Sequence, residues 1–195
     1  MKLNAQMFLD ALAGASRVAG NDKMLPALRS VSIRVKDGDV WIESTNRFHA
    51  IRTNLIASEI GDDTQVTIDL DDVAAWVTAI KKLPKYLLGS GGGVVTLTLG
   101  ERTARLEVNE RAYEVPTIMC DYPRIGSLFT PKPYEGNTDV IQLGLSPEYL
   151  SVLAKINKNA WRFTIESNRV LATSTGDGCA WEYVLMSARL SKPEA

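Results

Sequence analysis

Apolar and polar positions along the chain switch period three times, in the same order each time. Residues 5–20 (AQMFLDALAGASRVAG) bring Phe8, Leu12, Ala15 and Ala19 to one side at helical spacing. Residues 69–82 (DLDDVAAWVTAIKK) do the same with Val73, Trp76, Val77 and Ile80, and Asp69, Asp71 and Asp72 at the start suit a cap and a helix dipole. Residues 145–158 (LSPEYLSVLAKINK) offer Ser146 as N-cap and Pro147 at the first helical position, then Tyr149, Val152, Leu153 and Ile156 on one face. After each helical stripe the period falls to two. Val31, Ile33 and Val35 alternate with Ser32 and Arg34, and Asp37-Gly38 reads as a hairpin turn. Three strands are predicted after each helix: 28–36, 39–45 and 49–57; 94–100, 103–109 and 112–118; 161–167, 169–175 and 181–190. Turns are expected at Gly100-Glu101 and Asn168-Arg169, and Asp177-Gly178 breaks the chain before the last strand. A short apolar strand precedes each helix, at 1–4, 65–70 and 139–145.

The chain therefore reads as three copies of a strand-helix-strand-strand-strand unit of about 55 to 70 residues. One such unit cannot cover its own sheet face. Two make a domain, which leaves the third without a partner repeat. Residues 120–139 carry three prolines and two glycines with no apolar period, the signature of a linker. The expected division is a complete two-repeat domain over 1–130, then linker and third repeat over 131–195.

With 195 residues, a sizeable core forms without staples. Hydrophobic residues make up 45% and charged residues 23%, and no apolar run approaches the length of a membrane helix, so a soluble cytoplasmic protein is expected. Cys120 and Cys179 stand far apart with no nearby histidine, which indicates two buried free thiols rather than a metal site or disulfide framework. His49, the one histidine, lies on a predicted strand and reads as structural. The glycine-rich residues 87–95 lack the lysine and hydroxyl residue of a phosphate-cradling loop. Asp62-Asp63 and Asp71-Asp72 fall in a loop and at a helix start. No enzyme, cofactor or catalytic metal is indicated. A net charge of −1 is unusual for a nucleic-acid binder unless cations gather on one surface while acids such as Asp37, Asp39, Asp62, Asp63, Asp121 and Glu135 occupy another.

Residues 25–46 (LPALRSVSIRVKDGDVWIESTN) resemble the segment of bacterial DNA polymerase sliding clamps, the β-subunit processivity factors, that runs Leu-Pro-x-Leu, strand, Asp-Gly, strand, Thr-Asp. Residues 181–190 (WEYVLMSARL) resemble the closing strand of that family, Tyr-Val-x-Met-Pro-Met-Arg-Leu, and residues 113–125 (YEVPTIMCDYPRI) its apolar strand and aromatic-Pro turn. The chain departs at Asn46, where the family has Asp, at Ser187-Ala188, where it has Pro-Met, and in length. A bacterial clamp chain has six such units and two chains close the ring; this chain has three.

The resemblance implies an α+β DNA-clamp fold with helices on one face of antiparallel sheets, and a processivity factor that encircles duplex DNA without sequence readout. Arg17, Lys23, Lys81, Lys82, Lys85, Lys155 and Lys158, on the helices and their ends, are the expected phosphate contacts. Singly, such lysines also serve as dipole complements. Polymerase and clamp-loader-like partners are expected to dock a peptide into an apolar pocket including Val170, Val184 and Met186, with Arg189 nearby. If a ring always has twelve units, three per chain implies a homotetramer. The alternative is a non-encircling mimic or adaptor that binds or inhibits replication proteins.

Overall fold

Asn4 closes the first strand and caps the first helix, its side-chain oxygen accepting from the Met7 N–H at 3.0 Å. Asp69 does the same for the second, accepting from the Asp71 N–H at 2.9 Å, with Asp71 and Asp72 in the positive first turn. Ser146 stands at the N-cap position of the last helix, but its side chain makes no capping bond, and Pro147 sets the helical φ there. The computed structural model describes residues 1–89, 92–130, 145–166, 168–176 and 178–187. The elements are β1 Lys2–Asn4, α1 Ala5–Val18, β2 Ser30–Lys36, β3 Asp39–Thr45, β4 His49–Leu55, β5 Ala57–Ser58, β6 Thr64–Asp69, α2 Leu70–Lys81, α3 Lys85–Gly89, β7 Val94–Leu99, β8 Thr103–Val108, β9 Arg111–Pro116, a 3-10 turn Gly126–Phe129, α4 Pro147–Ile156, β10 Arg162–Ile165, β11 Arg169–Gly176 and β12 Cys179–Met186. The strand expected at 139–145 lies outside the described residues, apart from Leu145.

Both complete repeats fold as expected, and they trade a strand. One sheet runs β5-β1-β7-β8-β9 and the other β10-β11-β12-β4-β3-β2-β6. The strand that leads into α1 thus pairs in the second repeat's sheet (Lys2↔Thr96), and the strand that leads into α2 pairs in the first repeat's sheet (Ser30↔Asp69). Asp37 and Gly38 take φ of +52° and +84°, the double positive φ of a type I′ hairpin, and Asn109-Glu110 forms a second such turn. The third repeat is not isolated: β12 lies antiparallel to β4, with Tyr183 opposite Ile51. This covers backbone groups that an edge strand would leave open. Arg169, expected in a turn, opens β11 and is buried. Its guanidinium is ion-paired to buried Glu166 and donates to the Thr130 carbonyl at 2.8 Å.

The main core lies between the helices and the two sheets, around Phe8, Leu12, Ile33, Ile42, Trp76, Ile80, Leu97, Leu106 and Tyr183, all fully buried. Full burial of such side chains contributes roughly 1.5–3 kcal/mol each. α1 comes so close to β12 that a Cβ at Gly14 would stand 2.7 Å from the Trp181 ring. Where α4 meets the seam, His49 Nδ1 shares a 2.6 Å hydrogen bond with the Tyr183 hydroxyl, which donates to the Tyr149 carbonyl at 3.0 Å. Burial pushes the His49 pKa down to about 4.

A second cluster occupies the opposite face of the seam, because side chains alternate along a strand. Ala50, Leu171 and Val184 meet Ile125 and Phe129 there, with Tyr122, Leu128 and Met186 at the margin. Arg52 runs between the rings of Trp41 and Phe129, its Cζ 4.7 and 4.6 Å from their centroids, and pairs with Glu182 across the seam. Cys179 is buried and Cys120 half-buried, and neither is in a disulfide. Among the described residues no helix is long and apolar enough to cross a membrane.

Candidate nucleic-acid interface

Four backbone hydrogen bonds and the packing of the helices on one another fix how they run. The loop leaving α1 is held by Gly20 N–H to Leu28 O (2.8 Å), and Arg29 O then accepts from Leu70, the first residue of α2 (3.2 Å). At the other end, Ala5 N–H donates to Gly93 O (2.8 Å), and Gly93 N–H to Leu87 O in α3, just past α2 (2.8 Å). α1 and α2, which pack together, are therefore antiparallel. α4 also packs on α1. Its end, Lys155 to Lys158, shares a cavity of about 320 Å³ with Asp10 in the first half of α1. Its start, through Tyr149, stacks on Phe48 with ring centroids 6.2 Å apart. α4 is thus antiparallel to α1 as well.

This arrangement sorts the seven expected cations. Lys81, Lys82 and Lys85 stand at the end where α1 begins and α2 finishes, Lys155 and Lys158 where α4 finishes beside the middle of α1, near Asp10 and Gly14, and Arg17 and Lys23 at the end where α1 finishes. The α2 lysines and Arg17 are separated by the length of α1, 14 residues, or about 20 Å at the helical rise. All seven are exposed, and none makes an ion pair within 4 Å with another described residue. The last turns of α1, α2 and α4 each hold one of them, Arg17, Lys81 and Lys155, so dipole complementation accounts for three and leaves four.

The end holding Arg17 and Lys23 also carries acids. Asp71 is drawn well below the usual carboxylate range by its hydrogen bond to Arg29 (2.7 Å), with a smaller pull from Lys23. Asp72 is shifted upward, first by burial and then by the charges of Asp69 and Asp71. Elsewhere, the turn acids meet at the β2–β3 hairpin. Asp63 accepts from the Asp37 N–H at 3.1 Å, and Asp39 from the Asn54 amide at 3.0 Å.

The expected pocket residues do not share one surface. Val184 points into the outer cluster beneath Phe129, with Met186 half-buried beside it. Val170 pairs with Leu185 and so faces the other side of the sheet. Arg189 lies outside the described residues. An apolar groove that sequence reasoning missed opens next to this cluster, with a volume of about 340 Å³, between the loop Met24 to Leu28, Arg47 and Pro123. Met24 is 85% exposed at its rim. Pro123 follows Tyr122 of the outer cluster, and Phe48, next to Arg47, accepts from the Met186 N–H at 3.0 Å. The only signal for it was an apolar run, Met24-Leu25-Pro26-Ala27-Leu28, too irregular for a strand.

Repeats that exchange lead strands, with antiparallel sheets backing a single layer of helices, define the DNA-clamp fold. Among solved structures, the β subunit of DNA polymerase III from Thermotoga maritima is similar at a TM-score of 0.76 and 14% identity, covering 99% of this chain and 65% of that one. The corresponding subunit from Pseudomonas aeruginosa matches at 0.76 and 14%, and that from Borrelia burgdorferi at 0.77 and 11%, covering 97% and 98% of this chain. At such identities the likeness is one of fold, and the chain spans about 65% of the length of the clamp chain from Thermotoga maritima. No protein-family model and no curated protein matches the sequence.

Proposed function

We propose that the protein is a sliding-clamp-like processivity factor for DNA polymerase, a non-enzymatic cytoplasmic assembly that encircles duplex DNA and tethers replication proteins. The observation that carries this reading is the set Lys81, Lys82, Lys85, Lys155 and Lys158, exposed and without ion-pair partners among the described residues, at the ends of α2 and α4 on the helix layer of a clamp fold. Ammonium groups on flexible stems attract phosphates as point charges and read no base edge, so the duplex moves past them without a preferred register. Arg17 and Lys23 are secondary contacts, Lys23 because the Asp71 carboxylate is near enough to interact with it. Three repeats per chain make a ring of twelve from four copies, with 1–130 as a complete domain and 131–195 as linker and third repeat.

For polymerase and loader-like partners we assign peptide docking to the groove of Met24 to Leu28, Arg47 and Pro123, with half-buried Met186 beside it and buried Val184 and Val170 supporting the seam beneath. A flexible methionine at the rim suits several ligands, and Arg47 offers one fixed charge. The chain's short span relative to solved clamps favours one rival, a non-encircling adaptor that binds or inhibits replication proteins. Retention on DNA separates the two. A ring stays on nicked circular duplex and slips from the same DNA once linearised. Equal retention on both forms, or none on either, excludes encirclement.

A further inference from the structure

In this fold each repeat gives its lead strand away and receives another in return. β2, the first strand after α1, takes β6 as its outer neighbour, and β7, the first strand after α2, takes β1. β10 holds the same place after α4, yet among the described residues it pairs with β11 alone. Its side chains are apolar as if for burial, but Phe163 is 48% and Ile165 44% exposed. In β2 and β7, Ile33, Val35, Val95 and Leu97 are all buried.

The helix above β10 shows the same deficit. α1 buries eight residues and α2 four, whereas α4 buries only Leu153, with Tyr149, Leu150, Val152 and Ile156 half-buried. Among the described residues α1 is the one helix that packs closely on α4, along one flank. The third repeat is half of a two-repeat domain, and the chain holds one copy of it.

We propose that the missing half is the third repeat of a second copy of this chain. Both instances of strand exchange here are reciprocal, so the matching contact is isologous: each third repeat covers the β10 edge and the open flank of α4 in the other, around a two-fold axis. Phe163 and Ile165 lie at its centre. The dimer places six repeats in a row and does not depend on DNA binding. The four-copy ring requires it, together with a second like-with-like contact, for which the unpaired edge of β9 is available among the described residues.

Native mass spectrometry and light scattering over a concentration series test this. The wild-type chain is expected as an even multiple of the monomer, and Phe163→Asp/Ile165→Asp halves the mass while leaving the melting transition in place, since both side chains are exposed. A wild-type monomer at every concentration, or a double variant of unchanged mass, overturns the proposal. Amide exchange on the wild-type protein gives an independent reading should the variant misfold. β10 amides are protected in the assembled form and exchange freely on dilution; protection that persists in the monomer means the chain covers its own edge, and the proposal fails. Loss of DNA retention with the mass unchanged counts against the processivity reading alone.

Discussion

His49 stands where the first and third repeats meet, neutral and buried against Tyr183 and Tyr149. Its folded pKa is about 4, against 6.5 for the free side chain. Between those values the unfolded chain binds a proton that the folded chain does not, so stability falls as pH drops from about 6.5 to about 4. The full loss is about 3 kcal/mol. Urea midpoints across that window are expected to decline, and His49→Phe should flatten the His49 share of the decline. Trp76 presents a different case: its ring fills the core, while its Nε1 is buried with no acceptor among the described residues. Trp76→Phe is therefore expected to lose far less stability than Trp76→Ala, for which about 3–5 kcal/mol applies, read by chemical denaturation. A structural role for the lone histidine was legible in the sequence. The buried pair of Arg169 and Glu166 was not, because two charged residues flanking Asn168 look like any polar turn until a third element, ending at Thr130, closes over them.

Elements were read well where periodicity is the signal. All three helices appear within two residues of their expected ends, and so do most strands. Periodicity states which face of an element is apolar but not which strand lies beside it, so the traded lead strands and the β4–β12 seam were invisible. The 3-10 turn over Gly126 to Phe129 was likewise read as linker, because its prolines and glycines outweigh the isolated Ile125 and Phe129 that anchor it. Gly14 reports on the seam most directly. Gly14→Ala forces α1 away from Trp181 and is expected to cost about 1–3 kcal/mol by overpacking. An unchanged denaturation midpoint would show that the seam gives way freely.

For the whole molecule the decisive quantity is the charge on the helix layer. The chain's net charge of −1 hides it, since acids gather at the β2–β3 turn and around the start of α2 while lysines stand at the ends of α2 and α4. Reversing Lys81, Lys82, Lys155 and Lys158 to Glu is expected to abolish DNA association. Neutralising them to Gln should lower the slope of log affinity against log salt by up to about 0.9 per lost phosphate contact. Arg17→Gln/Lys23→Gln is expected to change that slope by less, because it removes two charges rather than four and Asp71 already offsets Lys23. The seven cations could be nominated from sequence by their positions on predicted helices, but their division into a strong and a weak group could not, because it follows from helix direction.

The trade of lead strands also bears on how the chain reaches its final shape. β1 finds its partner in β7, more than ninety positions later, and β2 waits for β6. A segment released after the first repeat would hold an opening strand matched only by the two residues of β5, together with an uncovered sheet margin, so residues 1–60 alone should show neither a cooperative transition nor slow amide exchange, whereas 1–130 should show both. Construction in this fold proceeds by pairs, and the first repeat closes its sheet only with a strand that the second brings.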